Sequence, residues 1–153
     1  MNFENRVTIQ RSRDEVFNFI ADFRHMPLWN YYVMETQQLS EGAPTIGTRY
    51  FQRRKTDEQH LTITEYQPNH LVTIQVEGLM FPVQMRFTLE DSPQGTEVVD
   101  EWRLWSKAPL PHAIAQRITR PIQQAVAENL GKLKQLLESG QTELQDGRVA
   151  RLG

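Results

Sequence analysis

PLPHAIAQRITRPIQQAVAENLGKLKQLLE, residues 109–138, is the stretch on which the fold turns. Ile114, Ile118, Ile122, Val126, Leu130, Leu133 and Leu137 recur in it at spacings of three and four. That period draws one apolar stripe along a single helix running from Pro109 to about Glu138. Pro121 lies inside the run. It has no backbone N–H to give and it crowds the preceding turn, so it predicts a kink there. A helix that is apolar along one side has to bury that side against another element.

The rest of the chain supplies the partner. Phe3, Asn5, Val7 and Ile9 alternate with Glu4, Arg6, Thr8 and Gln10, a period of two that reads as a strand. Ser12 with Glu15 three residues later has capping-box spacing, and Val16, Phe17, Phe19, Ile20 and Phe23 form a helical apolar face behind it. A second, shorter helical turn is expected over Asp22 to Asn30, disturbed by Pro27. Strands are then predicted at roughly 32–40, 48–55, 58–67, 70–77, 81–91 and 95–105. The separators have turn chemistry: Gly42 to Gly47, Thr56-Asp57, Pro68-Asn69, Gly78, and Asp91 to Gly95. Short turns between consecutive strands argue for an antiparallel meander. The expected architecture is α+β, a curved antiparallel sheet of about seven strands gripping the long C-terminal helix, with two short helices after the first strand. Residues 1–138 form the domain, and the polar stretch 139–153 reads as a loose tail.

Composition narrows the function. The chain has 153 residues, enough for one domain with a real core, and its 39% hydrophobic and 24% charged residues are a globular balance. Net charge is −2, and basic residues gather only in short groups such as Arg53-Arg54-Lys55, so no nucleic-acid partner is expected. There is no cysteine, which excludes disulfides, thiolate metal sites and a cysteine nucleophile, and fits a cytoplasmic location. The N-terminus lacks the apolar core of a signal peptide, and no apolar run approaches the roughly 20 residues that span a bilayer. His25, His60, His70 and His112 show no helical zinc spacing, and no nucleophile elbow or phosphate loop is present. Neither a metal nor a cofactor is expected.

The ordered landmarks resemble a known family. Arg11-Ser12-Arg13-Asp14-Glu15-Val16-Phe17, then Ala21-Asp22-Phe23 and Pro27-Leu28-Trp29-Asn30, are similar to the opening of START-like (SRPBCC) proteins, particularly the polyketide cyclase/dehydrase-like branch. Gly42 to Thr48, Ile63 to Pro68 and Gly95-Thr96-Glu97-Val98 follow in the same order. The resemblance covers roughly residues 3 to 138. It departs at Arg11-Ser12-Arg13, where a small residue and proline are usual. It implies a helix-grip fold with a deep cavity between sheet and C-terminal helix. Relatives bind lipids, sterols, polyketides and other apolar molecules, and a minority are enzymes.

Alternation sorts the candidate site residues. Val83, Met85, Phe87 and Leu89 share one face, as do Val98, Trp102 and Leu104, and the same parity turns Asp100 inward. A carboxylate on an apolar face is costly unless paired or protonated, so Asp100 reads either as a structural acid or as a polar anchor or general acid/base. Glu65 shares a parity with Leu61 and Ile63, and its competing reading is a cross-strand salt bridge. His25 lies in the short helix expected at the cavity mouth, as a ligand-facing or merely capping group. The expected lining comprises Trp29, Tyr31, Tyr50, Tyr66, Phe81, Met85, Phe87, Trp102, Ile118 and Ile122, with core packing as the alternative for each. Met80-Phe81-Pro82 after Gly78 reads as an exposed apolar loop able to gate the cavity or meet a partner. The leading expectation is a monomer or homodimer that binds a small, largely apolar molecule. A cyclase/dehydratase-type enzyme using Asp100, Glu65, His25 or tyrosine hydroxyls is the alternative, and a scaffold with a filled core is the third.

Overall fold

In a computed structural model, which describes residues 1–78 and 80–153, the meander is a seven-stranded antiparallel sheet. Its strands are β1 (Asn2–Ile9), β2 (Val33–Gln38), β3 (Arg49–Arg54), β4 (Glu58–Gln67), β5 (Leu71–Glu77), β6 (Val83–Ser92) and β7 (Gly95–Leu104). Their order is β1-β7-β6-β5-β4-β3-β2, so each hairpin neighbour pairs and the first strand closes on the last. Helix α1 (Arg13–Ile20) and a 3-10 helix (Phe23–Leu28) fill the link between β1 and β2, and helix α2 (His112–Ser139) follows the sheet. Ser12 stands at the start of α1, but its side chain makes no capping bond and Glu15 reaches back to Arg11 at 3.5 Å instead. The capping box expected there is therefore an ion pair. Pro121 is accommodated within an uninterrupted α2.

The inner face carries the alternation read from the sequence. Val72, Ile74 and Val76 of β5, Val83, Met85, Phe87 and Leu89 of β6, and Val98, Asp100 and Leu104 of β7 are all buried. The α2 stripe packs on this face in a graded way. Leu130, Leu133 and Leu136 are at most 1% exposed, Ile122 is half-buried, and Ile114 is 46% exposed. The helix grips with its C-terminal half and stands off with its N-terminal half.

Residues 139–153 depart from the loose tail expected of them. Gly140 caps α2 in the left-handed conformation (φ 86°), and β8 (Gln141–Glu143) pairs with β9 (Val149–Arg151). Leu144 and Ala150 bury beneath this hairpin, and Arg148 Nη2 donates to the Tyr31 carbonyl at 2.8 Å. The polar average of the segment masked two apolar anchors. Of the loop from Gly78 to Pro82, Leu79 lies outside the described residues.

The β6–β7 turn is the tightest point of the sheet. Gly95 has φ +133°, and a Cβ there would lie 2.3 Å from the Ile9 carbonyl oxygen and 3.0 Å from the Arg11 nitrogen. Thr96 Oγ1 donates to the Arg11 carbonyl at 2.8 Å, so the turn also fixes the junction between β1 and α1. Gly95→Ala is expected to cost about 3 kcal/mol or more, from strain and backbone displacement together. Gly42→Ala, at φ +90° with open space around it, should cost the strain alone, about 1–2 kcal/mol. Urea unfolding measures both, and equal losses would refute the close-contact explanation.

Candidate functional site

Where α2 stands off, a cavity of about 430 Å³ opens between the helix and the sheet. Its floor is Val76, Val83, Met85, Trp102 and Leu104, presented by three neighbouring strands at inward positions. Its roof is Ile122, Ala125, Val126 and Asn129, which share one face of α2 because they lie three and four residues apart. Met80, 89% exposed, and Phe81 stand at the rim with Tyr32. The end toward the β3–β4 hairpin is polar and is lined by Gln52, Arg54, Asp57 and Gln59. The cavity therefore has a largely apolar body, with Asn30 and Asn129 on its wall, and a hydrogen-bonding end. A separate groove of about 290 Å³ lies between Phe3 and the first turns of α2, and the Phe3–Trp102 stack, with centroids 5.4 Å apart, stands between the two.

The expected lining divides. Phe81, Met85, Trp102 and Ile122 line the cavity. Trp29, Tyr50 and Phe87 belong to the core instead, at 3%, 0% and 1% exposure. Trp29 meets Phe87 edge-on, and Tyr50 meets Phe23 likewise at 5.6 Å. Burial pushes the Tyr50 hydroxyl up to about 12, which leaves it neutral and unsuited to proton transfer near neutral pH. Tyr66 packs edge-on to Phe17 at 5.4 Å. Tyr31 sits under Lys55 Nζ, 4.6 Å from its ring centroid, and its N–H donates to Asn129 Oδ1 at 3.3 Å. Ile118 lies one turn before the roof, half-exposed. Core and lining positions share one periodicity, which is why alternation could not separate them.

The ionisable candidates do not converge. The register of β4 slips between Ile63 and Glu65, and this bulge turns Glu65 to the outer face. There it accepts hydrogen bonds from Arg86 Nη2 and from Thr73 Oγ1, the latter at 3.1 Å, and the Arg86 bond holds its carboxyl below the ordinary range. His25 stacks on Phe19 with centroids 4.2 Å apart, and its Nδ1 lies 2.8 Å from the Phe19 carbonyl oxygen, which makes it a brace for the 3-10 helix. Asp100 does face inward and is 2% exposed. Its Oδ2 accepts from Trp102 Nε1 at 3.2 Å, while Oδ1 has no hydrogen-bond partner among the described residues. Burial pushes its carboxyl up to about 7, against the pull of the indole N–H and helped by the charge of Glu101. Asp100 is thus behind the cavity wall, in contact with the indole that forms part of it. Among the described residues no three His, Asp or Glu side chains are placed to hold a metal ion, and no helix is long and apolar enough to cross a membrane.

The polar lining residues escaped the sequence reading, although parity marks them. Gln52 shares a face with Tyr50, and Gln59 with Leu61 and Ile63. Asn129 stands three residues after Val126 and four before Leu133, within the apolar stripe.

The same fold recurs in solved structures. The chain is similar to the Aha1 dimer from Colwellia psychrerythraea, at 20% identity and TM-score 0.69, covering 92% of this chain and 98% of that one. It is similar to a START superfamily protein from Mycobacterium smegmatis, at 17% identity and TM-score 0.71, covering 88% and 98%. A protein from Mesorhizobium loti matches at 16% identity and TM-score 0.71, covering 94% and 100%. No curated protein matches the chain. The family model described as polyketide cyclase / dehydrase and lipid transport matches residues 1–138, and with the helix-grip architecture just described it is to this family that the chain belongs.

Proposed function

We propose that the protein binds a small, largely apolar molecule in the cavity under the N-terminal half of α2. The observation that carries this reading is the form of that space: about 430 Å³, walled by Met85, Trp102, Ile122 and Val126, with hydrogen-bonding groups gathered at one end. Volumes of a few hundred Å³ with a few convergent polar groups are typical of ligand pockets. Family membership supports the same reading at the level of chemical class. An enzymatic reading has less to stand on, because Glu65 and His25 are directed elsewhere and Asp100 is screened by Trp102.

The neutral fluorophore N-phenyl-1-naphthylamine should bind one per chain, with gain of its own emission and quenching of tryptophan. Ala125→Phe, which fills the roof, should lower its affinity at least about tenfold while leaving the protein folded. Unchanged binding in that folded variant would place the ligand elsewhere.

Asp100 gives a second test, of the wall rather than of the ligand. The unfolded chain releases this proton near pH 3.8, whereas the native state keeps it to about pH 7. The native state therefore binds more protons between those values, and its stability falls as pH rises through them and is flat above, by on the order of 4 kcal/mol in all. Asp100→Asn keeps an acceptor for the indole N–H but cannot ionise. It is expected to raise the melting temperature at pH 8 and change it little at pH 4, and a variant less stable at both pH values would show that burial of this acid is not the dominant effect.

A further inference from the structure

The cavity runs across the strands, and a pair of stacked rings closes it at the β7 end. Its polar end lies at β3 and β4, and its floor continues through Val76 of β5 and Met85 of β6 to Trp102 of β7. The next strand of the sheet is β1, and its Phe3 is the direct ladder partner of Trp102. Phe3 does not border the cavity. It lines the separate groove of about 290 Å³, together with Ala115, Thr119 and Gln123 of α2. The helix shows the same adjacency, since Ile122 roofs the cavity and the next residue, Gln123, borders the groove. Ladder partners stand about 5 Å apart. Along the sheet, the two spaces are therefore separated by the rings of Trp102 and Phe3.

The indole is held there from two sides. Phe3 stacks on it with 18° between the ring planes. Asp100, two residues earlier on the same face of β7, accepts the Trp102 Nε1 hydrogen at 3.2 Å. The stack fixes the tilt of the ring, and the hydrogen bond fixes its rotation in the plane. Asp100 Oδ1 has no hydrogen-bond partner, so the indole N–H is the one donor that this carboxyl meets among the described residues. Burying an acid with one oxygen unmatched is costly. A residue kept at that cost for a single bond to a wall ring points to a ring that must not move.

On the reading that this cavity binds a small molecule, we infer that Trp102 is the end stop that sets the greatest length of apolar body the site accepts, with Phe3 and Asp100 as its positioning residues. An apolar chain with its polar head at the β3–β4 end runs over Met85 until it meets the indole. A chain that stops short of the ring buries every methylene, and each is worth about fourfold in affinity. A longer chain leaves its excess in water, where it adds nothing. The site therefore selects a short or compact apolar body over a long acyl chain, although the groove lined by Phe3, Ala115 and Thr119 lies directly behind the ring.

Competition of straight-chain primary alcohols, from butanol to tetradecanol, against bound N-phenyl-1-naphthylamine tests this, because the head is constant and the length changes. In the unaltered protein affinity should rise about fourfold per methylene and then level off within the series. Trp102→Val should move that break to a longer chain, so that the longest alcohols gain about tenfold or more and the shortest gain nothing. Trp102→Leu serves if this variant does not fold. Thr119→Phe, which fills the groove behind the ring, should return the break to its original length in the Trp102→Val protein and leave the series unchanged by itself. Asp100→Asn keeps an acceptor for the indole and should keep the break, whereas Asp100→Leu should shift it to longer chains; equal breaks in the two would remove Asp100 from the brace. A break at the original length in a folded Trp102 variant, or a rise without a break in the unaltered protein, overturns the end stop and leaves the cavity standing as a binding site. Alcohols that displace no fluorophore at any length overturn the reading of the cavity itself.

Discussion

Everything in this structure depends on how α2 is held against the sheet. Its C-terminal half is clamped by burial: Leu130, Leu133 and Leu136 lose nearly all contact with water. Polar bonds to β1 reinforce the clamp, with Lys134 Nζ donating to the Thr8 carbonyl at 2.6 Å and Gln10 N–H donating to Glu138 at 2.7 Å. The N-terminal half is held differently. Asn5 Nδ2 donates to the Gln123 carbonyl and Gln123 Nε2 donates to the Glu4 carbonyl, both at 3.1 Å. These bonds tether the helix to the edge strand without pressing it onto β5, β6 and β7. The cavity is the space left between a helix anchored by apolar packing at one end and by edge hydrogen bonds at the other.

That arrangement divides the interior. At one end Phe17, Phe23, Tyr50 and Phe87 make a filled core under α1 and the 3-10 helix. At the other the inner face carries polar groups that an ordinary core would exclude, namely Asp100, Gln52, Gln59 and Asn129. Buried polar atoms without partners destabilise a fold, and here several of them gather around one space. Met26 joins the two regions: it is 3% exposed, belongs to the core, lines the cavity and orients Gln52.

Strands and the long helix were legible because burial on one face imposes a period, and the period survives in the residues. Val83 to Leu89 needed no tertiary information to be placed inward. Glu65 did, because a one-residue bulge after Ile63 reverses the parity of the rest of the strand, and nothing in Thr64-Glu65-Tyr66 announces it. Tyr50 and Met85 show the other limit. Both face inward and both belong to the buried core, yet only Met85 also borders the cavity, a distinction that no local pattern encodes. The C-terminal hairpin was hidden because two buried residues, Leu144 and Ala150, anchor a segment whose average is polar. Gln59 was legible in principle, since a glutamine in register with Leu61 and Ile63 is an inward polar group that asks for a partner.

The division inside the domain lets the scaffold persist while the cavity wall varies. The solved structures from Colwellia, Mycobacterium and Mesorhizobium share the fold at 16–20% identity, so most side chains can change while the grip persists. Stability can be supplied by the filled end and by the clamp of Leu130 to Leu137, neither of which borders the polar end of the cavity. The residues at that end are then free to specify chemistry. Gln52, Arg54, Asp57 and Gln59 all come from one hairpin, β3–β4, and their relative placement is set by strand register and not by a long loop. Rigid backbone under these groups holds the polar end of the cavity in one arrangement, where a mobile hairpin would rearrange to satisfy itself.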